Sequence, residues 1–102
     1  ARVDIRGTLK CGTDVFIDVN AVFEGDVELG DGVKIESNNL VRDTKLGSGT
    51  VLHSNCHLEG ATTGNKCEIG PFARMRPGAE LANNVKVGNF VEIKKSTVAD
   101  GS

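Results

Sequence analysis

Arg76 and Lys94 are the side chains whose types and spacing could do chemistry together. They lie eighteen positions apart, each directly after an apolar residue, in MRPGAE and IKKST. If successive turns of the chain stack as parallel strands about 4.8 Å apart, the two cations become lateral neighbours. Like charges side by side are unfavourable unless an anion lies between them. An Arg fork grips two oxygens and a Lys ammonium adds a mobile point charge, so the pair suits a phosphate monoester. Pro77 and Gly78 follow Arg76 and fix the backbone there. Spacing equally admits neutralisation of the pair by Glu59 or Glu92.

Other reactive types are sparse. Cys11, Cys56 and Cys67 lack CxxC spacing, and with only His53 and His57 beside them the ligand set of a zinc site is not formed. Three reduced thiols fit a reducing compartment. Cys56 and Cys67 fall where small inward residues are expected and read as corner fillers, since an apolar setting raises a thiol's pKa. The two histidines read as surface residues. Residues 47–49, GSG, lack the later Gly, the helical pattern and the Lys-Ser/Thr of a phosphate loop.

What must position Arg76 and Lys94 is a six-residue repeat. An apolar residue returns at Ile69, Met75, Leu81, Val87 and Ile93, neither the 3.6 of a helix nor the 2 of a strand. Backwards the register runs through Thr63, Leu58, Leu52, Leu46, Val41, Ile35, Leu29, Phe23, Ile17, Cys11 and Ile5, and forwards to Val98; Thr63 is the one polar member. Five-residue steps occur at VRDTK, LEGAT and IKKST, in the same phase as the full sixes FEGDVE and MRPGAE. Three hexads therefore make one triangular coil, with one corner that tolerates a deletion. The ladder residues then stack in three columns, beginning at Cys11, Ile17 and Phe23. Stacked coils bury an apolar face that one repeat alone cannot. Small residues four positions on, such as Val33, Thr50 and Cys67 or Asn39, Cys56 and Ala73, suit the inner corners. Glycine follows the ladder at Gly12, Gly30, Gly47, Gly64, Gly70 and Gly88, where a positive φ or a close backbone approach would require it.

The expected fold is thus all-β, a parallel β-helix of about five triangular coils forming one domain over residues 1–102. Thirteen Gly and no Trp or Tyr agree with a turn-rich chain. The formal charge of -2 lacks the basic excess of a nucleic-acid binder. No run of about 18 apolar residues is present, so no spanning helix or membrane insertion is expected. A soluble cytoplasmic protein is the reading that follows. The register still runs at Val98, with no polar cap, so a fragment or a covered end is expected.

Three runs carry a family resemblance: RGTL at 6–9, IGPFARMRPGAEL at 69–81 and VGNFVEIKKS at 87–96. They resemble the bacterial bifunctional N-acetylglucosamine-1-phosphate uridyltransferase and glucosamine-1-phosphate N-acetyltransferase, along the whole chain. The resemblance implies a left-handed β-helix, against the usual right-handed crossover, and a homotrimer with sites between subunits. It implies that Arg76 and Lys94 bind the acceptor's sugar phosphate, glucosamine-1-phosphate, and that acetyl-CoA is co-substrate. It also implies a general-base His in a segment after VEIKK, beyond Ser102, so no catalytic residue is assigned here and the 102 residues alone are expected to be inactive. Later coils would contact coenzyme A. Magnesium would belong only to a uridyltransferase domain, which makes the UDP-sugar that feeds peptidoglycan and lipopolysaccharide synthesis. The rival readings are a structural or binding solenoid without catalysis, an acyltransferase for a lipid precursor or amino acid, and a γ-type carbonic anhydrase. The last needs three His, and RPGAEL with VEIKK argues against the second.

Overall fold

The computed structural model of the chain describes residues 3–88, 92–93 and 97–98. Every strand pairing among them is parallel and joins positions seventeen or eighteen residues apart, one coil to the next. Two-residue strands are enough because each one is held from the coil before and the coil after. One face stacks Phe16–Ile17, Lys34–Ile35, Val51–Leu52, Glu68–Ile69 and Lys86–Val87. A second stacks Leu40–Arg42, His57–Glu59, Arg74–Met75 and Glu92–Ile93. A third stacks Lys45–Leu46, Thr62–Thr63, Glu80–Leu81 and Thr97–Val98.

In the first two coils the second and third faces are spanned by single nine-residue strands, Val3–Cys11 and Ala21–Leu29. The hexad pattern alone places a break there. Both coils take the full six-residue step, so their registers match around the corner, with Gly7 opposite Gly25. In the next two coils the corner residue is deleted, and Asp43 and Gly60 turn there at φ 47° and 59°; the coil after them, with Met75 and Leu81, returns to the full six.

The three columns form the core as the spacing requires. Phe23, Val41, Leu58 and Met75 are sealed from solvent, as are Ile35, Leu52 and Ile69. Each fully buried aliphatic side chain contributes about 1.5–3 kcal/mol. The polar ladder member, Thr63, is satisfied: its hydroxyl donates to the Gly64 carbonyl and accepts from the Gly47 N–H, both at 3.1 Å. Buried Asn39 is likewise closed, its amide donating to the Glu36 carbonyl and its oxygen accepting from the Cys56 N–H, both at 2.8 Å. The ladder weakens in the first coil, where Ile5 is 53% exposed and Cys11 also faces solvent. Each of these has a neighbouring coil on one side, so the column expectation holds for their register and not for their burial.

The corner glycines divide the two roles expected of them, except Gly88, which has no positive φ and no described atom within 4 Å of a Cβ placed on it. Gly70 has a positive φ, 80°. Gly30 and Gly47 do not, and are required by close approach instead: a Cβ on Gly30 would stand 2.7 Å from the Ser48 nitrogen, and one on Gly47 would meet the Gly64 carbonyl. Much of the left-handed turning falls on Asp14, Asn20, Asn38, Asn55 and Asn84, types whose short polar side chains tolerate that conformation.

Candidate functional site

Arg76 emerges from the second face, directly after the buried Met75. Its backbone N–H donates to the Ile93 carbonyl at 2.8 Å, and Met75 lies opposite Ile93. Its guanidinium is about half exposed, with Nη1 3.6 Å from a Glu92 carboxylate oxygen. Arg74, two residues earlier on the same outward side, brings Nε to 3.9 Å of the same oxygen. Lys94, the expected second ligand, lies outside the described residues. Of the two neutralising partners the spacing admitted, Glu92 is the one near Arg76.

Glu59 is committed elsewhere. An outward row crosses the second face through Arg6, Glu24, Arg42 and Glu59, paired in register coil by coil. Arg42 donates to a single Glu24 oxygen from Nε at 3.1 Å and Nη2 at 2.7 Å, and to Glu59 from Nη1 at 2.9 Å. Arg6 reaches the other Glu24 oxygen at 3.6 Å. The hydrogen bond from Arg42 holds the Glu24 carboxyl below its usual range, and Glu24 in turn raises Arg42. Arg6 and Arg74 lie within the RGTL and IGPFARMRPGAEL runs, but nothing in the sequence singles out either as a charge partner.

The histidines depart from a plain surface reading. His53, 27% exposed, bridges two coils: Nδ1 is 3.0 Å from Glu36 and Nε2 is 3.0 Å from Glu68. Burial opposes its charge, but the hydrogen bonds to Glu68 and Glu36 outweigh it and raise its pKa above 6.5. His57 is half-buried and lies opposite Arg74, one coil from Arg76 and two from Glu92. Cys56 is buried, and burial pushes its thiol pKa up, as expected of a corner filler. Among the described residues no three His, Cys, Asp or Glu side chains cluster as metal ligands, and no helix is long and apolar enough to cross a membrane.

The family model "Bacterial transferase hexapeptide (six repeats)" matches residues 60–95, the span that holds Arg76. Bifunctional protein GlmU of Azoarcus sp. (strain BH72) is 58% identical over 99 residues, covering 97% of this chain and 22% of its own length. That of Chromobacterium violaceum is 56% identical over all 102 residues, again 22% of its length. Residues 60–95 carry the hexapeptide-repeat match, and the chain is similar to GlmU along its whole length. It spans about a fifth of the length of the GlmU proteins it matches. Among solved structures, the acetyltransferase domain of PglB from Neisseria gonorrhoeae FA1090, in complex with acetyl coenzyme A, superposes with a TM-score of 0.82 at 22% identity. That match covers 95% of this chain and 51% of the PglB chain, and it bears on the fold alone. The hexapeptide match and this neighbour fit the left-handed β-helix that the GlmU resemblance implied.

Proposed function

We propose that the chain is the acceptor-holding part of an acetyltransferase domain that moves an acetyl group from acetyl-CoA to the amine of glucosamine-1-phosphate. The observation that carries this is Arg76, half exposed and 3.6 Å from Glu92, in a chain similar to GlmU over its whole length. Arg76 exchanges its loose contact with Glu92 for a forked grip on the phosphate, and Lys94 adds a second charge. Anchoring the phosphate fixes where the sugar amine stands, which is how positioning lowers the barrier to attack on a thioester.

Neither histidine is the proton acceptor in this reading. Both ring nitrogens of His53 face carboxylates, so its charged form has no lone pair to offer. The general-base His is placed in the segment that follows VEIKK in the family, and contacts to coenzyme A in later coils. Uridylyl transfer with magnesium belongs to the longer proteins of this kind, as do the homotrimer, the cytoplasmic setting and the supply of UDP-N-acetylglucosamine for peptidoglycan and lipopolysaccharide synthesis. The 102 residues alone are expected to give no acetylated product.

The test is a titration of the chain with glucosamine-1-phosphate followed by NMR. Arg76 should shift on titration, and Arg76→Gln should weaken binding by about tenfold or more, the scale of a charge-assisted hydrogen bond. Unchanged affinity in that variant would leave Arg76 a structural residue and favour a solenoid without catalysis.

A further inference from the structure

Glu59 is the residue that ought to block the anion site and does not. Leu58 lies opposite Met75 in the register, so the residues after them, Glu59 and Arg76, are cross-coil neighbours of opposite charge on one outward row. A carboxylate so placed would compete with a phosphate for the Arg76 guanidinium. Instead a Glu59 oxygen accepts from Arg42 Nη1 at 2.9 Å, back toward the preceding coil. Arg42 is itself fixed, because its Nε and Nη2 both close on one oxygen of Glu24. Arg6 completes the set from the first coil by approaching the other Glu24 oxygen. Two cations and two carboxylates thus satisfy one another, and among the described residues Arg76 is left with the longer contact to Glu92.

We propose that Arg42 is a positioning residue for the anion site, holding Glu59 away from Arg76 so that Arg76 stays available to a phosphate. This rests on the reading of Arg76 as the acceptor-phosphate ligand. Arg42 makes no contact with the acceptor in this scheme; it acts by occupying a competitor. Removing it frees Glu59 to turn one coil forward and pair with Arg76. Removing Glu59 as well takes the competitor away and returns the site to use.

The experiment follows the Arg Nε–H signals of the isotopically labelled 102-residue chain during titration with glucosamine-1-phosphate, with wild type, Arg42→Gln, Arg42→Gln/Glu59→Gln and Arg76→Gln side by side. Arg42→Gln should weaken binding about three- to fivefold, the upper range of one exposed charge competing at short distance. The double variant should return to within about twofold of wild type, and the loss in the single variant should shrink in high salt. A merely structural role for Arg42 would leave the double variant as weak as the single one, and that result overturns the proposal. So does an Arg42→Gln variant that binds like wild type while Arg76→Gln does not, although the reading of Arg76 then stands. If Arg76→Gln binds like wild type, or no Arg signal moves in wild type, both fall together.

Discussion

At the scale of single residues, His53 is committed to its charged form by two carboxylates. A neutral imidazole has one N–H to give, yet both of its nitrogens lie 3.0 Å from carboxylate oxygens, of Glu36 on one side and Glu68 on the other. Two acceptors call for two donors, which is the charged form. Burial acts against that charge, and the hydrogen bonds to Glu68 and Glu36 prevail, so the folded pKa lies above the ordinary 6.5. Because the folded value is the higher one, the stabilisation is complete below about pH 6.5 and is lost as pH rises through the folded pKa. Thermal unfolding followed from about pH 6 to about pH 9 should therefore show a midpoint that declines in wild type. His53→Gln should flatten that decline and cost roughly 1 kcal/mol at the acid end. Parallel profiles for the two proteins would show that the bridge contributes nothing.

Elements this short have no stability of their own, so substitutions should sort by column and coil more than by strand. Leu58 is sealed between Val41 and Met75, and Leu58→Ala is expected to cost about 2–5 kcal/mol in chemical denaturation. Ile5 occupies the same column one coil from Phe23 but is half exposed, and Ile5→Ala should cost less than about 1 kcal/mol. Equal losses at the two sites would contradict the packing described. The columns themselves were legible in the sequence, down to the five-residue steps, because burial on a period of six leaves a direct mark in residue type. Corner chemistry was half legible: glycine signalled a constraint, but Gly47 answers to the Gly64 carbonyl one coil away, and close approach leaves no trace in a linear spacing. The same holds for His53, whose two partners sit seventeen and fifteen residues off on different hexad positions. Arg76 was found through its motif and its column, whereas the capture of Glu59 by Arg42 depends on which way a long exposed side chain turns, and sequence does not encode that.

On the scale of the whole molecule, each coil touches the one before and the one after, and the backbone hydrogen bonds run between coils. Stability in such a stack is close to a sum of coil and interface contributions, so it should vary along the axis. Central coils are gripped on both sides: Leu40 N–H donates to the Cys56 carbonyl and His57 N–H to the Ala73 carbonyl, over ladder residues that solvent does not reach. The first coil is gripped on one side, with Ile5 and Cys11 open to water. Amide hydrogen exchange should accordingly be slowest across residues 40–75 and fastest in residues 3–17, since exchange reports the free energy of the local opening that releases each N–H. The gradient matters for the proposed site, because Arg76 takes its backbone bond from Ile93 and its place from Met75. A phosphate gripped there binds only the closed stack, and should raise protection at residues 74–76 more than at residues 3–17. Uniform protection from end to end would mean that the coils open as one unit, and that Arg76 is positioned by the cooperativity of the whole solenoid and not by its neighbouring coils.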